Sequence, residues 1–199
     1  MRNNIAIKMS VLLCFYMVLA GRPVFADQVE KIRSLYTDVN KIIERGAAKE
    51  TYFQLGSKGW EKSARTSAKS NSDSDLTESA KVYMINRKLL KTTMLVTSPS
   101  GDWVSTSDYY FYENGKTAFI FESYLTYQGY DFDKGEDLPP GPYIIEKRLY
   151  FNENGQEVKS LTKSFIKSSK KEIPIKYLKK NQFDIYSDTK SLPFYNLLF

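Results

Sequence analysis

The chain contains no histidine and only one cysteine, Cys14. The first absence removes the Ser-His-Asp triad, the Cys-His pair and every zinc site built on imidazole. The second removes thiol redox chemistry, iron–sulfur ligation and c-type haem attachment from any segment that lacks residue 14. No Walker A loop and no G-x-G-x-x-G run occurs. Catalysis in this chain would have to run on carboxylates, lysine, tyrosine or serine. No Asn-x-Ser/Thr acceptor for N-glycosylation is present either.

Long hydrophobic runs are scarce as well. The longest opens the chain, at residues 9–20, and it is preceded by Arg2 and Lys8 with no acid among the first residues. Gly21, Pro23 and the small-residue site Val24-Phe25-Ala26 follow. Twelve residues fall short of the roughly 20 that a helix needs to span a bilayer. A basic segment, a short apolar run and a small-residue site are the three parts of a secretory signal peptide, with cleavage expected after Ala26. Cys14 lies in mid-run and follows Leu13, whereas a lipoprotein signal wants a small residue there. The expected organisation is a signal peptide over residues 1–26 and one folded unit over residues 27–199, with no membrane span in the mature chain. Its 173 residues are enough to bury a core without staples. An exported chain without disulfides points to a bacterial periplasm or medium.

The whole chain has a formal charge of +6; without Arg2, Lys8 and Arg22 it carries 26 bases against 23 acids, or +3. That balance suits a solvated surface and lacks the dense basic stripe of a nucleic-acid binder.

Residues 28–45 predict an amphipathic helix. Val29, Ile32, Leu35, Tyr36, Val39, Ile42 and Ile43 recur at three- and four-residue spacing. Asp27 is placed to cap its start, with Glu30 as capping-box partner, and Gly46 to stop it. Residues 50–56 predict a strand. Residues 57–79, rich in Ser, Lys, Asp and Thr around Trp60, predict a flexible polar loop. Residues 82–85 and 89–96 predict two strands joined around Asn86-Arg87.

The clearest local signals are two hairpins. Residues 108–124 carry Asn114-Gly115 at their centre, and residues 144–165 carry Asn154-Gly155. Asn-Gly favours a two-residue type I′ turn, which needs positive φ at both central positions. In 109–112, Tyr109 and Phe111 must face one way and Tyr110 and Tyr112 the other. One helix can cover one face, which leaves the other to a loop or to the apolar tail, 192–199. Between the hairpins, residues 127–142 form a long loop ending in a Pro-rich piece. The expected fold is α+β: an N-terminal amphipathic helix packed on a twisted antiparallel β-meander of about five to seven strands.

Three chemistries are open. Tyr110, Tyr112, Tyr124, Arg148 and Tyr150 can form an aromatic binding surface, since Tyr and Arg are favoured at interfaces; ordinary β-core packing through cross-strand pairs competes with that reading. Asp131, Asp133, Glu136 and Asp137 can offer oxygens to calcium, although the order of ligands and glycine departs from an EF-hand and Lys134 stands among them. Glu113 or Glu153 with Asp131 can supply the carboxylate pair of a hydrolase if a cleft holds them about 5–10 Å apart. The leading expectation is a non-enzymatic module of the bacterial envelope without a cofactor, binding a protein or envelope component. A carboxylate hydrolase and a calcium-stabilised structural protein are the alternatives.

Tyr110-Phe111-Tyr112-Glu113-Asn114-Gly115-Lys116 and Tyr150-Phe151-Asn152-Glu153-Asn154-Gly155-Gln156 repeat one pattern. Over residues 105–165 the chain resembles bacterial periplasmic proteins with MORN-like Asn-Gly hairpins. The resemblance implies consecutive hairpins in one sheet and carries no catalytic residues.

Overall fold

A computed structural model describes residues 24–64, 77–131, 133–139, 141–178 and 185–199. The apolar run at 9–20 and most of the expected signal peptide lie outside the described residues. Among the described residues one α-helix and an antiparallel sheet make an α+β arrangement. Among the described residues no helix is long and apolar enough to cross a membrane.

The helix, α1, spans Val24–Glu44. Asp27 falls inside its first turn instead of capping it, and there its charge meets the positive end of the helix dipole and Lys31 at 3.7 Å. Gly46 ends the helix. Its φ of +68° lets its own N–H reach Ile43 O at 2.9 Å while Ala47 N–H reaches Ile42 O at 3.2 Å. This pair of bonds is the Schellman closure that glycine favours.

The main sheet has eight strands, one more than the upper expectation. They are β1 (Lys49–Gly56), β2 (Gly59–Ser63), β3 (Thr77–Ile85), β4 (Lys88–Thr97), β5 (Trp103–Phe111), β6 (Thr117–Thr126), β9 (Tyr143–Phe151) and β10 (Glu157–Ile166). Two further strands, β7 (Tyr130–Asp131) and β8 (Glu136–Asp137), pair with each other inside the 127–142 segment, so that segment is not wholly irregular. The order across the main sheet is β10-β9-β6-β5-β4-β3-β1-β2. It is a meander except at one end, where β1 takes β2 on one side and β3 on the other.

β2 occupies part of the stretch expected to be a polar loop, and β3 starts within it. Trp60 explains the difference, because its ring meets Phe194 at 5.1 Å and ties the strand to the core. The rest of that loop, residues 65–76, lies outside the described residues.

The turns also differ from expectation. Asn86 and Arg87, at φ +48° and +65°, form the two-residue connection of β3 and β4, with the positive φ values that a type I′ turn requires. The Asn-Gly pairs do something else. Gly115 N–H bonds Tyr112 O at 2.9 Å, and only the glycine has positive φ, +81°. The twin turn repeats this, with Gly155 N–H on Asn152 O at 2.8 Å and φ +81°. Each is a four-residue turn closed by a left-handed glycine, the G1-bulge solution to the same strand twist. Asparagine side chains support both, Asn114 Oδ1 accepting from Lys116 N–H and Asn152 Oδ1 from Asn154 and Gln156 N–H.

Alternation splits the sheet's residues between two cores. On one face Val29, Ile32 and Val39 of α1 cover Tyr110, Phe119 and Tyr150. On the other, Phe53, Val82, Tyr109, Phe111, Ile120 and Leu149 lie under Leu192 and Phe194 of the tail. Farther along that second face Tyr124, Tyr143 and Ile145 pack with Leu178. The tail is fastened by polar contacts as well. Thr117 Oγ1 donates to Tyr186 O at 2.7 Å, Thr189 N–H to Gly115 O at 2.8 Å, and Lys116 bridges Asp188 at 3.0 Å.

Candidate functional site

The helix packs against β6, β9 and β10, toward one side of its face. Antiparallel register sets the side chains beside it. Tyr110, Phe119 and Tyr150 stand in one row across β5, β6 and β9, and Asp108, Phe121 and Arg148 stand in the next. The first row lies under the helix. The second row is only partly buried, and a cleft of about 310 Å³ lies along the join.

Phe119, Phe121 and Tyr150 from the sheet and Ile32 and Tyr36 from the helix give this cleft its apolar surface. Arg33 and Arg148 line it with charge. Phe119 meets Tyr150 at 4.9 Å between ring centroids and Tyr36 edge-on at 5.7 Å. Tyr36 is 42% exposed, so its ring forms a wall with one side in solvent. The Arg148 guanidinium sits 5.5 Å from the Phe121 ring centre and 3.2 Å from Glu146. Arg33 donates to Glu30 at 2.6 Å. Hydrogen bonding to the Tyr150 hydroxyl, then the Glu30 carboxylate, holds Arg33 above its already high ordinary pKa.

A third cation lies two strands from the lining strand β6, on β4. Lys91 Nζ sits 2.9 Å from Asp108 and 5.0 Å from the Tyr110 ring centre. Thr93 Oγ1 donates to the other Asp108 oxygen at 2.5 Å. Burial works against the charge on Lys91, but Asp108 and the Tyr110 hydroxyl outweigh it and the pKa is raised. This network occupies Asp108, so no unpaired carboxylate from that row faces the cleft.

The five residues expected to form an aromatic surface are not brought together as one. Arg148 and Tyr150 line the cleft. Tyr110 is 1% exposed beneath the helix and gives its hydroxyl to Asn40. Tyr112 shares that face and donates to Phe151 O at 2.7 Å. Tyr124 is 1% exposed on the opposite face, in the Leu178 cluster. Sequence reading did not single out Arg33, Tyr36, Phe119 or Phe121. The helical spacing that put Ile32 and Tyr36 on the sticky stripe also placed Arg33 at its flank. Phe119 and Phe121 follow from the register that pairs them with Tyr150 and Arg148.

The acidic loop does not converge on a cation. Asp131 accepts from the backbone N–H groups of Asp133 and Lys134, at 3.0 and 3.3 Å. Asp133 takes Lys176 and the Tyr177 hydroxyl instead, and Glu136 lies 3.7 Å from Lys134. Asp137 is exposed in β8. Among the described residues no group of three or more acids, cysteines or histidines could hold a metal ion.

The proposed hydrolase pair also fails on geometry. Glu113 and Glu153 sit in turns at one end of β6 and β9, and Asp131 lies beyond the other end. Ten residues of β6 separate the two ends, about 30 Å at the usual rise. The acids cannot flank one bond.

No family model matches the chain, and neither does any curated protein or solved structure. The lining of the cleft therefore carries the functional argument. Its arginines, tyrosines and phenylalanines can bind and orient a group.

Proposed function

We propose that this chain is an exported, non-enzymatic interaction module of the bacterial envelope, which holds a protein or another envelope component at the cleft between α1 and the sheet. The observation that carries the reading is the pairing of two arginines with an aromatic floor, with no carboxylate in the lining. Arginine and large aromatics are the residues in which binding energy concentrates at interfaces. The fold holds the floor rigidly, because Phe119 and Tyr150 are buried in a cross-strand row.

Export rests on the signal-peptide pattern of residues 1–26. In this reading, cleavage after Ala26 trims α1 by less than a turn and leaves a helix at the head of the mature chain. The twin Asn-Gly turns fit the MORN-like resemblance, and their part is to set the β5–β6 and β9–β10 registers on either side of the β6–β9 pairing that places Phe121 beside Arg148.

The test is affinity capture on envelope extract from the source cells with the mature chain, residues 27–199, read by cross-linking and mass spectrometry. A stoichiometric partner is expected, and Arg33→Glu with Arg148→Glu should release it. Both side chains are about half exposed, so these changes leave the core intact. A partner that the doubly substituted chain holds equally well, or no partner at all, would overturn the reading.

A further inference from the structure

We propose that the group recognised in this cleft is a carboxylate held within two carbons of a flat apolar body; the inference rests on the interaction-module reading and names the chemistry of what that module binds. Charge is the first ground. The lining holds two guanidinium groups and no anion. Each arginine is engaged by one glutamate through a single nitrogen, Arg33 through Nη1 and Arg148 through Nη2, and Arg33 also bonds the Tyr150 hydroxyl. A guanidinium carries five N–H donors in a planar fork that matches a carboxylate, so a contact through one nitrogen leaves donors for a second oxyanion.

Shape is the second ground. Phe119 and Tyr150, tilted 45° to each other and 7% and 6% exposed, close the bottom of the cleft with their ring edges, the partly buried Phe121 ring lies beside them, and Tyr36 stands edge-on to Phe119 with one side in solvent. A flat group can enter between Tyr36 and Phe121 and meet the buried ring edges of Phe119 and Tyr150, in the offset and edge-to-face arrangements that ring quadrupoles favour. The Arg148 guanidinium lies above the neighbouring Phe121 ring, so the charge is held at the border of the apolar surface. A ligand must therefore present its anion next to its flat body, with no long spacer.

Size is the third. A volume of about 310 Å³ is at the small end of ligand sites. It suits one ring-sized group with its carboxylate. The same chemistry is offered by a free aromatic acid and by a protein chain ending in an aromatic residue.

The experiment titrates the mature chain with N-acetylphenylalanine, its primary amide and N-acetylglycine, followed by calorimetry and by NMR of the tyrosine, phenylalanine and arginine side chains. The acid should bind and shift Tyr36, Phe119 and Arg148. The amide lacks only the charge and N-acetylglycine lacks the benzyl side chain; each should bind about tenfold more weakly, the effect of one charged hydrogen-bonding contact or of the apolar body. Arg148→Gln should bring acid and amide to parity. A peptide ending in phenylalanine that binds more tightly than the free acid, and loses this on amidation, places the group on a chain end; the reverse order places it on a small molecule. Equal binding of acid and amide, or no binding of the acid, would overturn the proposal. Failure here with a partner still released by Arg33→Glu and Arg148→Glu sinks the ligand class alone. Binding of the acid with capture insensitive to those changes sinks the interaction reading alone.

Discussion

Tyr110 donates its hydroxyl to Asn40 Oδ1 at 3.1 Å and so fastens the last turns of α1 to the middle of the sheet. The ring beneath that hydroxyl is 1% exposed and also meets Tyr36 at 5.0 Å, so one side chain positions both the helix and a wall of the cleft. Tyr110→Phe keeps the ring and removes the bond. Urea denaturation should show a loss of about 1–3 kcal/mol, the cost of leaving a buried polar group without its partner. The loss should fall near the lower end, because Asn40 is half-buried and water can reach it.

The two Asn-Gly turns offer a controlled pair. Gly115 and Gly155 share the same φ of +81°, yet a methyl group on Gly115 would stand 2.9 Å from Thr189 Oγ1, and one on Gly155 would meet nothing within 4 Å. Gly155→Ala should therefore cost about 1–2 kcal/mol, the strain of a left-handed alanine. Gly115→Ala should cost that and more, because Thr189 is held by its own N–H on Gly115 O and cannot step aside freely. Adding Thr189→Ala to Gly115→Ala should remove the excess. The denaturation midpoints of the variants check the comparison.

Phe194 stacks on Phe53 at 4.8 Å and an interplanar angle of 13°, and both rings are 1% exposed. Phe194→Ala should destabilise the protein by about 3–5 kcal/mol, the usual cost of emptying an aromatic site in a core. The same substitution should raise amide exchange in β1 and β2, whose cover it removes, before it affects β9 and β10.

Tyr112 predicts a pH effect. Burial first, then the Glu153 charge, pushes its hydroxyl up to about 12. An unfolded chain ionises tyrosine near 10. As pH rises above 10 the unfolded state sheds this proton and the folded state keeps it, so stability falls with rising pH over that window. Ultraviolet titration should include a tyrosine step near 12 that Tyr112→Phe removes, among other tyrosines that burial and hydrogen bonds also raise, and the same substitution should lessen the loss of stability above pH 10.

Much of this fold can be read locally. Alternation in 109–112 sends Tyr109 and Phe111 to one core and Tyr110 and Tyr112 to the other, as the period of two requires. The Gly46 stop follows from residue type alone, because it needs only a left-handed backbone. β2 was not legible. Trp60 sits among polar neighbours, and its partner Phe194 is far along the chain. The Asn-Gly turns were located but mistyped, since type I′ and the G1 bulge accept the same pair and the ladder bond decides between them. The cleft was half legible. Arg148 and Tyr150 stood out by residue type. Their companions depend on register, and a slip of one residue would bring Ile120 and Leu149 to that face instead.

The stacking of Phe53 on Phe194 has a kinetic side. A strand near the start of the sheet and a short helical turn near residue 194 must meet before that face has a complete core. Contacts between such distant segments require a long loop to close before any burial rewards it. Refolding should then be slow for a domain of this size, with the β3–β6 and β9–β10 hairpins forming early as local structure and the tail locking last. A chain caught in that interval exposes Phe53, Val82 and Leu149 together, which makes the unfinished protein, far more than the finished one, a client for a chaperone.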